Sequence, residues 1–111
     1  MASLADKQCV PCKGGVPPLS AEQIAPLLAQ VDGWSVADNN HHLLKQFRLK
    51  NFAQALDLVN RIGAIAEEQN HHPDILLAWG KVEVKIWTHK INGLIESDFV
   101  FAAKCDRGSK E

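Results

Sequence analysis

Between residues 51 and 89 the spacing of apolar side chains changes from three-and-four to two, and the change is made around residues 70–73, "NHHP". Phe52, Ala55, Leu56, Val59, Ile62, Gly63 and Ala66 recur at helical intervals and draw one apolar stripe. "KVEVKIWTH", from Lys81, alternates instead, so that Val82, Val84, Ile86 and Thr88 face one side and Lys81, Glu83, Lys85, Trp87 and His89 the other. A chain carrying both patterns in succession has few ways to bury them. The simplest is a helix laid across one face of an antiparallel sheet.

The flanking segments extend that arrangement. Asn51 is placed to cap the long helix, predicted over 51–69, and Pro73 disfavours helical geometry at His72, so the helix should stop near Asn70. "DILLAW" reads as a strand joined tightly to the alternating one at Gly80. Upstream, Ser20 and Gln23 have capping-box spacing, and Ile24, Leu27, Leu28 and Val31 predict a first helix over roughly 20–30, interrupted early by Pro26. "WSVADNNHHLLKQFRL" predicts a hairpin turning at Asp38, Asn39 and Asn40, with His41 and His42 as solvated turn residues without chemistry. A last helix is predicted over 96–104, with Phe99, Val100 and Ala103 inward. The expected fold is α+β, a four-stranded antiparallel sheet with three helices on one face in the order α-β-β-α-β-β-α. The sheet's other face, carrying Trp87 and His89, would stay open to a ligand or partner.

With 111 residues there is material for one core. The folded domain is expected over 19–111, behind a flexible lead-in over 1–18 that lacks either periodicity. A formal charge of −1 with both signs scattered gives no basic patch for a phosphate backbone, so direct nucleic-acid binding is not expected. No apolar run approaches the roughly 20 residues that cross a bilayer, and the first residues lack the layout of a signal peptide. A cytoplasmic protein with reduced thiols is the expectation. Cys9 and Cys12 form a CxxC pair, which could be two zinc ligands or a redox couple, although no second pair completes a four-ligand site.

The histidines at the break carry the candidate chemistry. A helix ending at Asn70 presents carbonyl groups whose partial negative charge suits a protonated imidazole at His71. Glu67, four residues earlier, has the spacing to hold that ring in one orientation. His89 follows the strand with Trp87 two residues before it, and if the two segments meet, His71 and His89 could address opposite ends of one small molecule. A zinc site from His71, His72 and His89 is awkward, since neighbouring extended residues point opposite ways. A helix stop with incidental surface histidines remains open on spacing alone.

Glu67, "HHP" at 71–73, Trp79, "TH" at 88–89 and Asp98, with "KQF" and "GL" in their places, together resemble the signature of the pterin-4a-carbinolamine dehydratases over roughly 20–104. The lead-in with its CxxC looks like the N-terminal extension of some bacterial members. The resemblance implies removal of water from a 4a-hydroxytetrahydropterin to give a quinonoid dihydropterin, recycling the cofactor of aromatic amino-acid hydroxylases. It implies that His71, His72 and His89 are catalytic, that His71, His72, Pro73, Thr88, His89, Lys90 and Ile91 contact the pterin, and that Glu67 and Asp98 support them. It implies no metal and no organic cofactor, the pterin being the substrate, and a homodimer or homotetramer. Asn70, Ile75, Lys90 and Ser97 depart from the animal members, which bears on stacking and on the substrate side chain. The alternative it carries is a binding module that stabilises or assembles a partner protein.

Overall fold

The computed structural model describes residues 4–10 and 16–109. Helix α1 runs Ala21–Leu28; Ser20 accepts from the Gln23 backbone N–H and the Gln23 side chain accepts from Ser20, closing the expected capping box. Such a cap stabilises by about 1 kcal/mol. Strands β1 (Ser35–Ala37) and β2 (His42–Arg48) pair across Asp38, Asn39 and Asn40, whose φ of 50°, 56° and 67° are left-handed values that Asp and Asn tolerate best after glycine.

Helix α2 spans Phe52–Gln69 and is capped at its start by Asn51, whose Oδ1 accepts from the Gln54 N–H at 2.9 Å. It stops because Asn70 turns left-handed (φ 52°), so that both Asn70 and His71 donate backbone N–H groups to the Ala66 carbonyl. The buried row is Ala55, Leu58, Ile62, Ala66 and Gln69, while Phe52 and Leu56, expected on the inner stripe, are exposed. The helix thus carries two apolar rows, and the sheet takes the one through Leu58.

β3 (Asp74–Ala78) and β4 (Lys81–Ile86) meet at Gly80, whose φ of 70° suits a residue without Cβ. All strands are antiparallel, in the order β1-β2-β4-β3. The last strand is shorter than its alternation predicts. Beyond Ile86 only Thr88 pairs, with Gly93, and the chain between them coils into a 3₁₀ turn, His89–Ile91, ended by Asn92 at φ 52°. Gly93 has to be glycine, since a Cβ there would lie 2.7 Å from Pro18.

Leu43, Val82, Val84 and Ile86 are wholly buried on the inner face, the three β4 residues as the alternation predicts. Lys45 shares that face opposite Val84, and its ammonium donates to Asp106 Oδ1 at 2.6 Å, a carboxylate that also accepts from the Trp34 indole at 2.9 Å. This largely buried pair ties the sheet to helix α3 (Glu96–Ser109). α3 extends past the predicted 104 and is buried nearly all round: Phe99, Val100, Phe101, Ala102 and Cys105 are inside, and Ala103 is only half-buried. An amphipathic stripe underestimates such a helix because two elements cover it. One is α2; the other is a 3₁₀ turn, Leu4–Asp6, that lies on its outward side with Leu4 and Ala5 buried. Lys104 donates to the Ala5 carbonyl at 2.8 Å and Arg107 to Asp6 at 2.7 Å. The expectation of a flexible lead-in therefore meets residues 4–10 packed on α3; Cys12 lies outside the described residues. Among those described, no helix is long and apolar enough to cross a membrane.

Candidate active site

Where α2 ends, β4 runs out and α3 begins, the chain leaves a half-open hollow of about 270 Å³, bordered by His71, His72, Trp87, Thr88, His89 and Lys90 and closed further by Cys9, Val10, Gln69, Asn70, Ile95 and Ser97. It lies at the end of the sheet rather than on the sheet's open face. Its size suits one bicyclic ring with an edge left in solvent.

Asn70 decides how the two neighbouring histidines divide. After its left-handed turn the His71 ring goes inward and the His72 ring goes back over the last turn of α2. His71 Nε2 lies 2.6 Å from Oδ1 of Asp98, which is wholly buried, and the ring meets Phe101 edge-to-face at 5.9 Å. Asp98 Oδ2 accepts from the Thr88 hydroxyl at 2.9 Å and the Ile95 N–H at 2.8 Å. A carboxylate accepts only, so Nε2 of His71 is its protonated nitrogen and Nδ1 is the one left for a ligand. Glu67, expected to hold His71, bonds His72 instead, Oε2 to Nε2 at 2.5 Å, with both side chains well exposed. The correction follows from the turn: past Asn70 the helical i, i+4 relation no longer applies, and His71 is carried to the start of α3.

His89 is exposed, its ring 4.3 Å from Trp87 at 32°. Behind Trp87 stands His41, 5.2 Å away, whose Nε2 bonds Asn92 Oδ1 at 2.7 Å and whose Nδ1 meets that of His42 at 3.1 Å. His42 was expected to be solvated and is 4% exposed. Burial, with help from Lys85, holds its imidazole below the usual histidine range. The two turn histidines support the Trp87 side of the site.

Of the residues expected from sequence, His71, His72, Thr88, His89 and Lys90 border the hollow, Glu67 and Asp98 stand behind His72 and His71, and Pro73 and Ile91 fall outside its lining. Cys9, Val10 and Gln69 were not foreseen. Gln69 did leave a signal, being a polar residue that continues the row Ala55, Leu58, Ile62 and Ala66; Cys9 and Val10 left none in periodicity. Burial pushes the Cys9 thiol up to about 11, so it is uncharged near neutral pH. Among the described residues no three His, Cys, Asp or Glu side chains are grouped as a metal would need. Chemically, two imidazoles on separate segments, one with its tautomer fixed, border a single cavity and can take a proton from one atom of a ligand and give one to another.

Comparison with known proteins shows the family. Residues 17–108 match the family model described as pterin 4 alpha carbinolamine dehydratase. A Rubrobacter xylanophilus protein provisionally named a pterin-4-alpha-carbinolamine dehydratase is 62% identical over 107 residues, covering 96% of this chain and 99% of that one. One of the same provisional name from Alkaliphilus metalliredigens is 52% identical over 112 residues, covering 100% of both chains. Among solved structures, a transcriptional coactivator/pterin dehydratase from Brucella melitensis superposes with a TM-score of 0.78 at 28% identity, over 83% of this chain and 98% of that one.

Proposed function

We propose that this chain, which belongs to the pterin-4a-carbinolamine dehydratase family, removes water from a 4a-hydroxytetrahydropterin by paired histidine acid and base chemistry. The observation that carries the reading is that His71 and His89, from segments far apart in sequence, border one hollow, with His71 anchored on the buried Asp98. In the reaction the C4a–O bond breaks as a proton reaches the leaving hydroxyl, the neighbouring ring nitrogen loses its proton, and a C=N bond forms; the products are water and a quinonoid dihydropterin. No electron is gained or lost. Nδ1 of His71 is one proton-transfer atom and His89 supplies the other, while His72, held by Glu67, positions the ring. Trp87 gives the bicycle an aromatic surface beside His89.

The substrate would come from a hydroxylase that has spent its tetrahydropterin, and the product would go on to reduction. A cytoplasmic setting fits the free thiols Cys9 and Cys105. Self-association as a dimer or dimer of dimers fits the exposed Phe52 and Leu56 on α2, Leu76 on β3 and Trp79 just after it.

The test is stopped-flow absorbance of chemically generated 4a-hydroxytetrahydropterin. Wild type should speed its decay, and His71→Ala should lose about 10²-fold or more of that acceleration. Decay at the buffer rate with wild type would leave the binding-module reading, which the same exposed apolar residues would serve. A larger turnover loss in His72→Ala than in both His71→Ala and His89→Ala, at unchanged pterin affinity, would overturn the division of roles.

A further inference from the structure

Residues 8–10 precede the part of the chain that matches the family model, yet Cys9 and Val10 border the hollow. Their placement is not loose. Gln69, 7% exposed, accepts the Cys9 N–H on Oε1 at 2.8 Å and donates from Nε2 to Gln8 Oε1 at 3.0 Å. The Ser97 hydroxyl accepts the Val10 N–H at 2.8 Å and donates to the Val10 carbonyl at 3.2 Å, while the Cys9 thiol donates to the Ser97 carbonyl at 3.5 Å. Gln69 lies two residues before His71 and Ser97 one before Asp98, so the same two backbone stretches fix the reacting pair and this side of the cavity.

Those bonds determine what the segment can recognise. The peptide N–H groups at 9 and 10 are both engaged and the Val10 carbonyl accepts from Ser97, so neither residue has a backbone donor left for a ligand, and the Val10 side chain, 68% exposed, is the largest surface they present. The acceptor atoms of a pyrimidine ring would find no backbone donor at residues 9 and 10, so that ring is poorly matched to this side of the hollow. The substituent on the reduced ring has no such demand.

We propose that residues 8–10 are a specificity wall of the hollow, held by Gln69 and Ser97 as positioning residues, whose Val10 side chain contacts the non-reacting 6-substituent and favours small apolar ones. This rests on the pterin reading of the site.

The experiment compares two carbinolamine substrates, one with a 6-methyl and one with a 6-dihydroxypropyl group, in wild type, Val10→Ala and Ser97→Ala, with near-ultraviolet circular dichroism to confirm folding. Val10→Ala should raise KM for the methyl substrate about threefold, less than the roughly tenfold of an enclosed apolar pocket because the contact is partly exposed. The change should fall on KM rather than kcat, and the dihydroxypropyl substrate should respond less. Ser97→Ala should shift the preference in the same direction by freeing the wall. An unchanged ratio of kcat/KM for the two substrates in both folded variants would overturn the proposal. If wild type turns over neither substrate, the dehydratase reading fails, and the wall is judged by equilibrium binding of 6-methyl-7,8-dihydropterin through tryptophan fluorescence. Weaker binding in Val10→Ala than in wild type then supports it, and equal or absent binding overturns it.

Discussion

The chain writes "NHH" twice, at residues 40–42 and 70–72, and the two copies have opposite fates. Both follow an asparagine in the left-handed conformation, φ 67° at Asn40 and 52° at Asn70. After Asn40 the two rings bond each other at 3.1 Å and sit behind Trp87, with one carboxylate, Asp38, only at the edge of reach, 3.9 Å from His42. After Asn70 the rings part, and each takes its own carboxylate, Asp98 inside and Glu67 outside. The motif makes a turn; the carboxylates waiting on either side of it make a site. The first pair spends one nitrogen of each ring on the other, whereas in the second each ring bonds a carboxylate through Nε2 and keeps Nδ1 for another partner.

Several substitutions test that contrast. Asp98→Asn should do most damage, because an amide puts a donor where three donors already converge. Turnover should fall about 10²-fold or more, and a lower Tm should report a loss of about 1–3 kcal/mol in a site this buried. Glu67→Gln should be milder: its bond to His72 is solvent-screened, so stability should change by less than about 1 kcal/mol, with the effect seen mainly in KM. Equal losses from the two variants would erase the inside–outside distinction. The smallest effect belongs to the 40–42 copy. His42 is held below its ordinary 6.5, with Lys85 and His41 opposing its protonation and Asp38 favouring it. The unfolded chain therefore takes up the proton first, and the stability tied to neutral His42 is complete above 6.5 and lost as pH falls through the depressed value. Thermal melts between about pH 7 and about pH 5 should show a steeper decline for wild type than for His42→Gln; matching slopes would mean that His42 titrates as freely as a surface residue.

The elements closest to the site were legible because they rest on local rules. Asn51, Asn70 and Pro73 bound the long helix by capping and backbone sterics, and the alternation from Lys81 puts Val82, Val84 and Ile86 inside. That His71 and Asp98 come near one another was also legible, by resemblance. Their pairing was not, since spacing arguments gave Glu67 to His71 and the left-handed Asn70 reassigned it. Leu58 against Leu56 was a choice between two apolar rows on one helix, settled only by which side the sheet occupies. Residues 4–10 show no period at all, because their order comes from side chains on α2 and α3 rather than from neighbours in sequence.

The Glu67–His72 bond closes a loop of five residues, whereas Val10 and Ser97 are joined across 87. Closing a longer loop costs more chain entropy, and such contacts are the late ones in folding. A nascent molecule can thus orient His72 while its cavity still lacks a side. Amides at Cys9 and Val10 are set to exchange with solvent sooner than those in the middle of α2, and the enclosure of the ligand becomes the last property that the chain acquires and the first that it gives up.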